Sequence, residues 1–387
     1  MFSLISFELR KLIRNKIAIS TILLAFVVMF GILNMTFFSG QMAGSKSNPI
    51  HGIEAIRVNT KIANQHSGYL RKKQIQDIFE DYTQKAPDLD KKGIFDVFSH
   101  MVIYQFVENP TDKLVKIHGS KNIQKFKNVK IRNFDKLGAK LAVEKLKLGN
   151  FVSWNTLFLA LNSLFLIIVM STLFITSPVF SGDSMKGIDD ILLTTQYGRN
   201  KLTISKMVSV YLVGISLFSV TLGIVLFIFG KSFGFSGWDT SVQCNLYWIN
   251  SFLNIMAFPI KMNLLEVCIQ LCLTQFVGLI FLLSICLFIS SITKNTLTTF
   301  GIVVLYYFAP GFIMQIFPKG IVNEFLTIFN ISTSHFEENL MNLSSENGFL
   351  LNSFYQNIIL LNGIRILLTV SLLIIIYKMI KGKQIKN

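Results

Sequence analysis

The sequence predicts an all-α polytopic membrane protein with six transmembrane helices, an N-terminal interfacial helix and a mostly helical (α+β) extracytoplasmic domain. Three observations predict it. Hydrophobic residues make up 51% of the 387 residues and charged residues only 15%, well under the ~25% charged of a soluble domain. The apolar residues fall in blocks of about twenty or more, the length that crosses a bilayer, rather than in a short amphipathic period. Lys and Arg gather beside alternate ends of these blocks, which orients them.

Residues 1–16 read as an amphipathic helix. Ile5, Leu9, Leu12 and Ile13 share one face, while Glu8, Arg10, Lys11, Arg14 and Lys16 lie elsewhere. Such a helix suits the membrane interface. The first span is 17–38, whose 22 residues give about 33 Å of helix. It is too long for a signal peptide, and no small-x-small cleavage site follows it. Arg10, Lys11, Arg14 and Lys16 flank it, so the N-terminus is expected in the cytoplasm.

Residues 39–150 form a hydrophilic insert of 112 residues with 20 Lys/Arg against 11 Asp/Glu. A positive balance outside the cell does not contradict the topology, because long domains cross largely regardless of charge. Ile75, Ile78, Phe79 and Tyr82 have helical spacing. Val129 and Ile131 alternate with polar residues as a strand does. Leu137, Leu141 and Leu148 suggest a last helix running into the second span. The segment is long enough to fold as a small domain.

The second span is 151–178, ended by Pro178. A cytoplasmic loop covers 179–206 and the third span 207–230. An outer loop at 231–263 is rich in aromatic residues suited to the headgroup level, with a re-entrant or surface helix expected at 246–258. The fourth span, 264–292, is long. A few residues including Lys294 separate it from the fifth, 297–317. A second outer loop, 318–357, contains an apolar stretch at 321–331 that is too short to span. The sixth span is 358–377, and the tail 378–387 carries Lys378, Lys381, Lys383 and Lys386. Inner loops and tails thus hold the cations. The expected location is the plasma (cytoplasmic) membrane, with both termini in the cytoplasm.

Several functions are excluded on residue chemistry. Gly230-Lys231-Ser232 resembles the end of a nucleotide-binding Walker loop, but Val225 stands where its first glycine belongs, at the end of a membrane helix. No HExxH, GxSxG or paired Cys/His metal spacing occurs. Cys244, Cys268, Cys272 and Cys286 read as small buried hydrophobes. The net charge of +16 points to membrane lipid as a partner, not to nucleic acid. No metal and no catalytic residue is expected.

The most informative segment is FSGDSMKGIDDILLTTQYGRNKLTISK, Phe180 to Lys206. It contains a short helix near Ile188–Thr194, with Asp189 and Asp190 in the first turn, where the helix dipole favours them. Gly198 ends it. Asp183, Gly187, Leu192, Leu193, Thr194, Thr195, Arg199 and Lys206 stand at the spacing of a family motif: acidic residue, glycine, Leu-rich turn, Thr/Ser step, Arg, and Lys entering the third span. This resembles the permease subunits of type-2 ABC exporters. That family has Glu at the place of Asp183 and Pro near Tyr197.

The resemblance implies a coupling element made by Asp183, Gly187, Asp189, Asp190, Leu192, Leu193, Arg199 and Lys206, with Arg10, Lys11 and Arg14 on the interfacial helix. It implies an ATP-binding cassette subunit as partner, with ATP and Mg held there and no cofactor in this chain. It also implies a second permease chain, in a homodimer or heterodimer. Export of an amphipathic or hydrophobic substrate, such as a peptide, antibiotic or lipid-like molecule, follows as the expected function. A membrane sensor or scaffold whose extracytoplasmic domain binds a ligand is the alternative, and a lipid-modifying enzyme is a third, opposed by the missing catalytic groups. Arg365, inside the sixth span, is a candidate for the substrate path or for a snorkelling side chain beside Asn362. Glu266, which could pair with Arg365, and Gln270, one turn below Glu266 on the same helical side, are the other candidates for the substrate path.

Overall fold

A computed structural model of the protein describes residues 1–45, 48–84, 95–111, 129–133, 145–195, 197–246, 256, 260–331, 343 and 350–383. Among the described residues, six helical segments are long and apolar enough to cross a membrane: Lys16–Ser39, Phe151–Met185, Lys201–Phe233, Leu264–Ile292, Thr296–Ile316 and Phe354–Gly382.

Helix α1 is Phe2–Ile13 and α2 is Lys16–Leu33, extended by a π-helical turn over Asn34–Ser39. Asn15 separates the two helices, its side-chain oxygen accepting from Ile17 N at 3.1 Å, as an N-cap does. In the insert, β1 (Met42–Gly44) pairs antiparallel with β2 (Pro49–His51). Helices α3 (Gly52–Gln65), α4 (Lys72–Gln84) and α5 (Val97–Phe106) follow. Strand β3 (Gly68–Tyr69) pairs with β4 (Lys147–Leu148). The spans continue as α6 (Phe151–Thr176), with short helices α7 (Pro178–Met185) and α8 (Asp189–Thr194) after it. Then come α9 (Lys201–Phe233), α10 (Leu264–Ile292), α11 (Thr296–Ile316), α12 (Ile321–Phe329) and α13 (Phe354–Gly382).

Three local readings change. Pro178 does not end helical structure: it occupies the first turn of α7, where its missing N–H costs nothing, and α7 follows α6 after Ser177 alone. Helix α9 starts at Lys201, one and a half turns before the apolar run, and within that first stretch Ser205 Oγ and Thr203 Oγ1 donate back to the carbonyls of Lys201 and Arg199. Leu148 lies in β4, not in a helix. Asn150 interrupts any helical run there by capping α6, its oxygen accepting from Ser153 N at 3.3 Å.

The chain divides into two compact units. The first holds Met1–Gly31, Asn162–Ile224 and Gln270–Asn387. Its core gathers Phe165, Val169, Leu173, Val210, Leu279, Leu283, Val303 and Tyr307, with Leu12 and Ala18 joining from α1 and α2.

The second unit holds Ile32–Leu161 and Val225–Ile269. Helix α4 buries Ile75, Ile78, Phe79 and Tyr82. Helix α5 buries Phe98, Val102, Ile103 and Phe106. Ile131 makes one antiparallel bridge to Val107. Leu137 and Leu141 lie outside the described residues, as does most of the helix expected at 246–258. Phe37, Trp154, Phe229, Phe233 and Phe235 form a linked aromatic group. Trp154 Nε1 donates to Ser236 O at 3.0 Å. Gly237, at φ +80°, comes so near Asn150 that a Cβ would lie 2.6 Å from its nitrogen. Glycine is therefore required there on two counts.

Candidate functional site

The segment 178–206 is organised around the end of α7. Ile188 N donates to Asp183 O at 3.1 Å and Gly187 N to Ser184 O at 3.1 Å. With Gly187 at φ +67°, this is a Schellman ending, which satisfies carbonyls the helix leaves open and reverses the chain. At the other end, Ser290 of α10 replaces an N-cap. Its hydroxyl accepts from Phe180 N at 3.1 Å and Ser181 N at 3.0 Å, and donates to Ser177 O at 2.8 Å. Nothing in the spacing of residues 178–206 points to Ser290.

The buried side chain of Asp183 meets two lysines, Lys206 buried beside it and Lys11 reaching in from the exposed side of α1. Lys11 Nζ donates to Oδ1 at 2.6 Å, and Lys206 Nζ pairs with Oδ2. Lys206 also sits 5.0 Å from the centre of the Phe180 ring. Glu8, buried on α1, lies 3.9 Å from Lys11. Two carboxyl groups and two ammoniums thus meet within α1, α7 and α9, and Asp183 pairs with both lysines. A buried charge is tolerable only when paired in this way. Ser209 Oγ adds a bond from α9 to Ile5 O at 3.3 Å.

Burial pushes the Glu8 carboxyl above its ordinary range, and the attraction of Lys11 and Lys206 only partly offsets it. Folding therefore makes the Glu8 carboxyl easier to protonate than it is in the unfolded chain. Its contribution to stability is full below the unfolded value and is lost as pH rises through the folded one. Glu8→Gln is expected to unfold at a higher temperature than the wild type at neutral pH, with the gain shrinking as pH falls toward 4.5. Thermal unfolding in detergent across that range checks it. A gain that grows on acidification would contradict it.

Helix α8 is held from both sides. Asp189 Oδ2 accepts from Ser184 Oγ at 3.0 Å and from Lys383 Nζ, past the end of α13, at 3.0 Å. Partial burial opposes the charge of Asp189, but these two hydrogen bonds outweigh it and hold the carboxyl below its ordinary range. Tyr377 Oη donates to Asn200 at 3.2 Å. Arg199 Nε donates to Leu193 O at 3.2 Å, closing the C-terminal end of α8. Gly198 packs so tightly that a Cβ would meet Leu192 O at 1.7 Å. Leu193 is buried and Leu192 half-buried. Met185, Asp190, Ile191 and Tyr197 are exposed. Arg10 and Arg14 are exposed on α1.

Two openings adjoin this region. A groove of about 620 Å³ is lined by α2, α6 and α11, with Leu24, Val28, Ile167, Met170 and Phe300 in its wall. Its hydroxyls add little polarity, since Ser20 and Thr21 bond back to Lys16 O and Ile17 O. A pocket of about 530 Å³ is lined by Glu8, Lys11, Asp183 and Lys186 beside Phe174 and Phe300. Ile17, Phe174 and Phe300 border both.

The remaining sequence candidates separate. Arg365 is buried rather than snorkelling: its Nε donates to Ile328 O at 3.0 Å, and Nη2 donates to Asn330 O at 2.8 Å and Thr327 O at 3.3 Å. It therefore closes the C-terminal end of α12, where a cation also meets the negative end of the helix dipole. Glu266 caps its own helix instead, exchanging bonds with Asn263 at 2.9 Å each. The expected pairing of Glu266 with Arg365 is replaced by these local partners. Gln270 Nε2 donates to Thr274 Oγ1 at 3.1 Å, in the same helix.

No curated protein and no solved structure matches the chain. A family model described as ABC-2 family transporter protein matches residues 2–375. The match takes in α1, the first five spans and most of the sixth, and the buried cluster that joins α1 to segment 178–206. The chain belongs to the ABC-2 transporter family and is a multi-pass membrane permease component of an ABC transporter, a family whose permeases work with a separate ABC ATPase.

Proposed function

We propose that segment 179–206 is a coupling element that docks on a separate ATP-binding cassette subunit. The permease would use ATP and Mg held by that subunit to export an amphipathic or hydrophobic substrate. In this reading, both termini and α7–α8 face the cytoplasm, and the insert between the first two spans faces outward. One observation carries it: α8 is fixed from behind by Ser184, Lys383 and Arg199 while Asp190, Ile191 and Tyr197 stay exposed. A rigid lever needs that combination of anchored back and open face. The apolar groove of α2, α6 and α11 supports an apolar substrate. Being open on one side, it suits a pathway completed by a second permease chain.

Ile191→Asp tests the docking. Ile191 is 65% exposed, so the change leaves the fold intact while placing a charge in the proposed contact. Co-purification with the ATP-binding subunit is expected to fall by about tenfold or more. An unchanged complex with unchanged ATP hydrolysis would remove α8 from the contact.

A further inference from the structure

We propose that α1 reads the anionic phospholipid of its membrane leaflet and passes that signal to α7 through Lys11. The sequence gives α1 one apolar face, Ile5, Leu9, Leu12 and Ile13. The fold uses most of that face inward: Leu12 is buried in the core and Leu9 packs against it. A different face is left open. Phe2 is 90% exposed and Phe7 62%, with Ile13 also exposed. Between them lie Arg10 and Arg14, both exposed.

Among the described residues, Arg10, Arg14 and Lys16 take part in no ion pair. Two nearly bare phenylalanines beside uncompensated arginines are poorly suited to water. They are suited to the boundary between acyl chains and anionic headgroups, where rings sink and cations stay at the phosphate level. Helix α1 ends two residues before the first span begins, which fixes it at that boundary. Charge complementarity selects anionic over zwitterionic lipid, at about 1 kcal/mol for each basic residue near the surface.

The flank of that exposed face makes the link. Lys11 is half-way between the two environments: its stem lies on a lipid-facing helix and its ammonium is 2.6 Å from Asp183 at the end of α7. Ser209 Oγ holds Ile5 O at 3.3 Å, so the N-terminal half of α1 is also fixed to α9. Movement of α1 toward or away from the headgroups must therefore pull on Asp183. A solvent-facing α1 would need neither the rings nor the buried ionic tie.

The inference rests on the proposed function only for its second readout. The permease with its ATP-binding subunit is placed in nanodiscs of phosphatidylcholine with increasing phosphatidylglycerol. A polarity-sensitive fluorophore on Ser6→Cys reports the depth of α1, and ATP hydrolysis is followed in parallel. Phosphatidylglycerol is expected to shift the emission to the blue and raise hydrolysis together. In the Arg10→Gln/Arg14→Gln variant, the emission change should need roughly fivefold more anionic lipid per lost charge. It should also weaken in 1 M salt, where the screening length is about 3 Å. Lys11→Met should keep the emission change but lose the hydrolysis response. Emission indifferent to phosphatidylglycerol, or a double variant like the wild type, overturns the lipid contact. Hydrolysis in Lys11→Met that still follows the lipid overturns the link to α7. A normal emission response with no ATP-binding subunit bound under any condition would fault the proposed function and leave the lipid contact standing.

Discussion

Asp183→Asn is expected to destabilise the protein by about 3–5 kcal/mol, the cost of removing one partner from a buried ion pair. Lys11 and Lys206 both pair with the Asp183 carboxylate, and its side chain is almost completely buried. Asparagine keeps the shape but leaves two ammoniums facing an amide oxygen, with only Glu8 nearby. Lys206→Met should cost less, because Asp183 then keeps Lys11 and no charge is stranded. Combining Asp183→Asn with Lys206→Met should recover part of the loss, since the double variant removes one charge of each sign. Thermal unfolding of the four proteins in detergent gives the cycle. Strictly additive losses, or a Lys206→Met loss as large as that of Asp183→Asn, would show that the cluster does not act as a unit. The same substitution is expected to abolish transport-coupled ATP hydrolysis even where folded protein is recovered, because the end of α7 loses its tie to both α1 and α9.

That cluster also shows what a sequence can and cannot disclose. The spans were legible because length and apolarity are local properties, as was α8. Asp183 and Lys206 were legible as members of one motif. Their burial against each other was not, and Lys11, 172 residues away from Asp183, entered only as a membrane-side cation. The reason is physical: a charged residue in an interfacial helix reads the same whether it points to lipid or to a carboxylate. Periodicity placed Ile5, Leu9 and Leu12 on one face of α1 but left open which surface that face would meet. Pro178 misled for a related reason. Its effect depends on whether the missing N–H falls in a helix interior or in a first turn, and Ser290, more than a hundred residues on, makes it a first turn. Glu266 looked like a partner for Arg365 because opposite charges attract in any reading. Asn263, three residues before it, was the cheaper solution.

Arg365→Leu carries the second large effect. Arg365 is the eleventh residue after Phe354, about 16 Å along α13 from its start. A charge at that depth is costly unless it is paired or hydrogen-bonded. The guanidinium meets the condition by donating to three backbone carbonyls, those of Thr327, Ile328 and Asn330. These carbonyls have the same need in reverse. They end α12, where no further turn supplies N–H donors, and a bilayer offers no water to replace them. Close packing supports the arrangement: Gly278 of α10 leaves room for Ile331, whose Cγ2 would be 3.1 Å from any added Cβ, and for Arg365 Nη1 at 3.8 Å.

Leucine at 365 would fill the space and spare the burial of a charge, so the site is not simply weakened. What it cannot do is satisfy the carbonyls, and each left bare costs about 1–3 kcal/mol. The expected result is local: α12 leaves its seat while the spans stay folded. Thr327, now buried, is the reporter. In Thr327→Cys, attack by a membrane-impermeant maleimide should be at least about tenfold faster with Arg365→Leu than with Arg365 intact, since 1.4 kcal/mol of lost protection is a factor of ten. Arg365→Lys should fall between them, because one ammonium cannot present the planar fork that meets three separate oxygens. Gly278→Val should act in the same direction from the other side, chiefly by pushing Ile331 outward, the closer of its two neighbours. If Thr327 stays protected in Arg365→Leu while transport fails, the guanidinium is not what seats α12, and contact with the transported molecule becomes the better account of a charge at that depth.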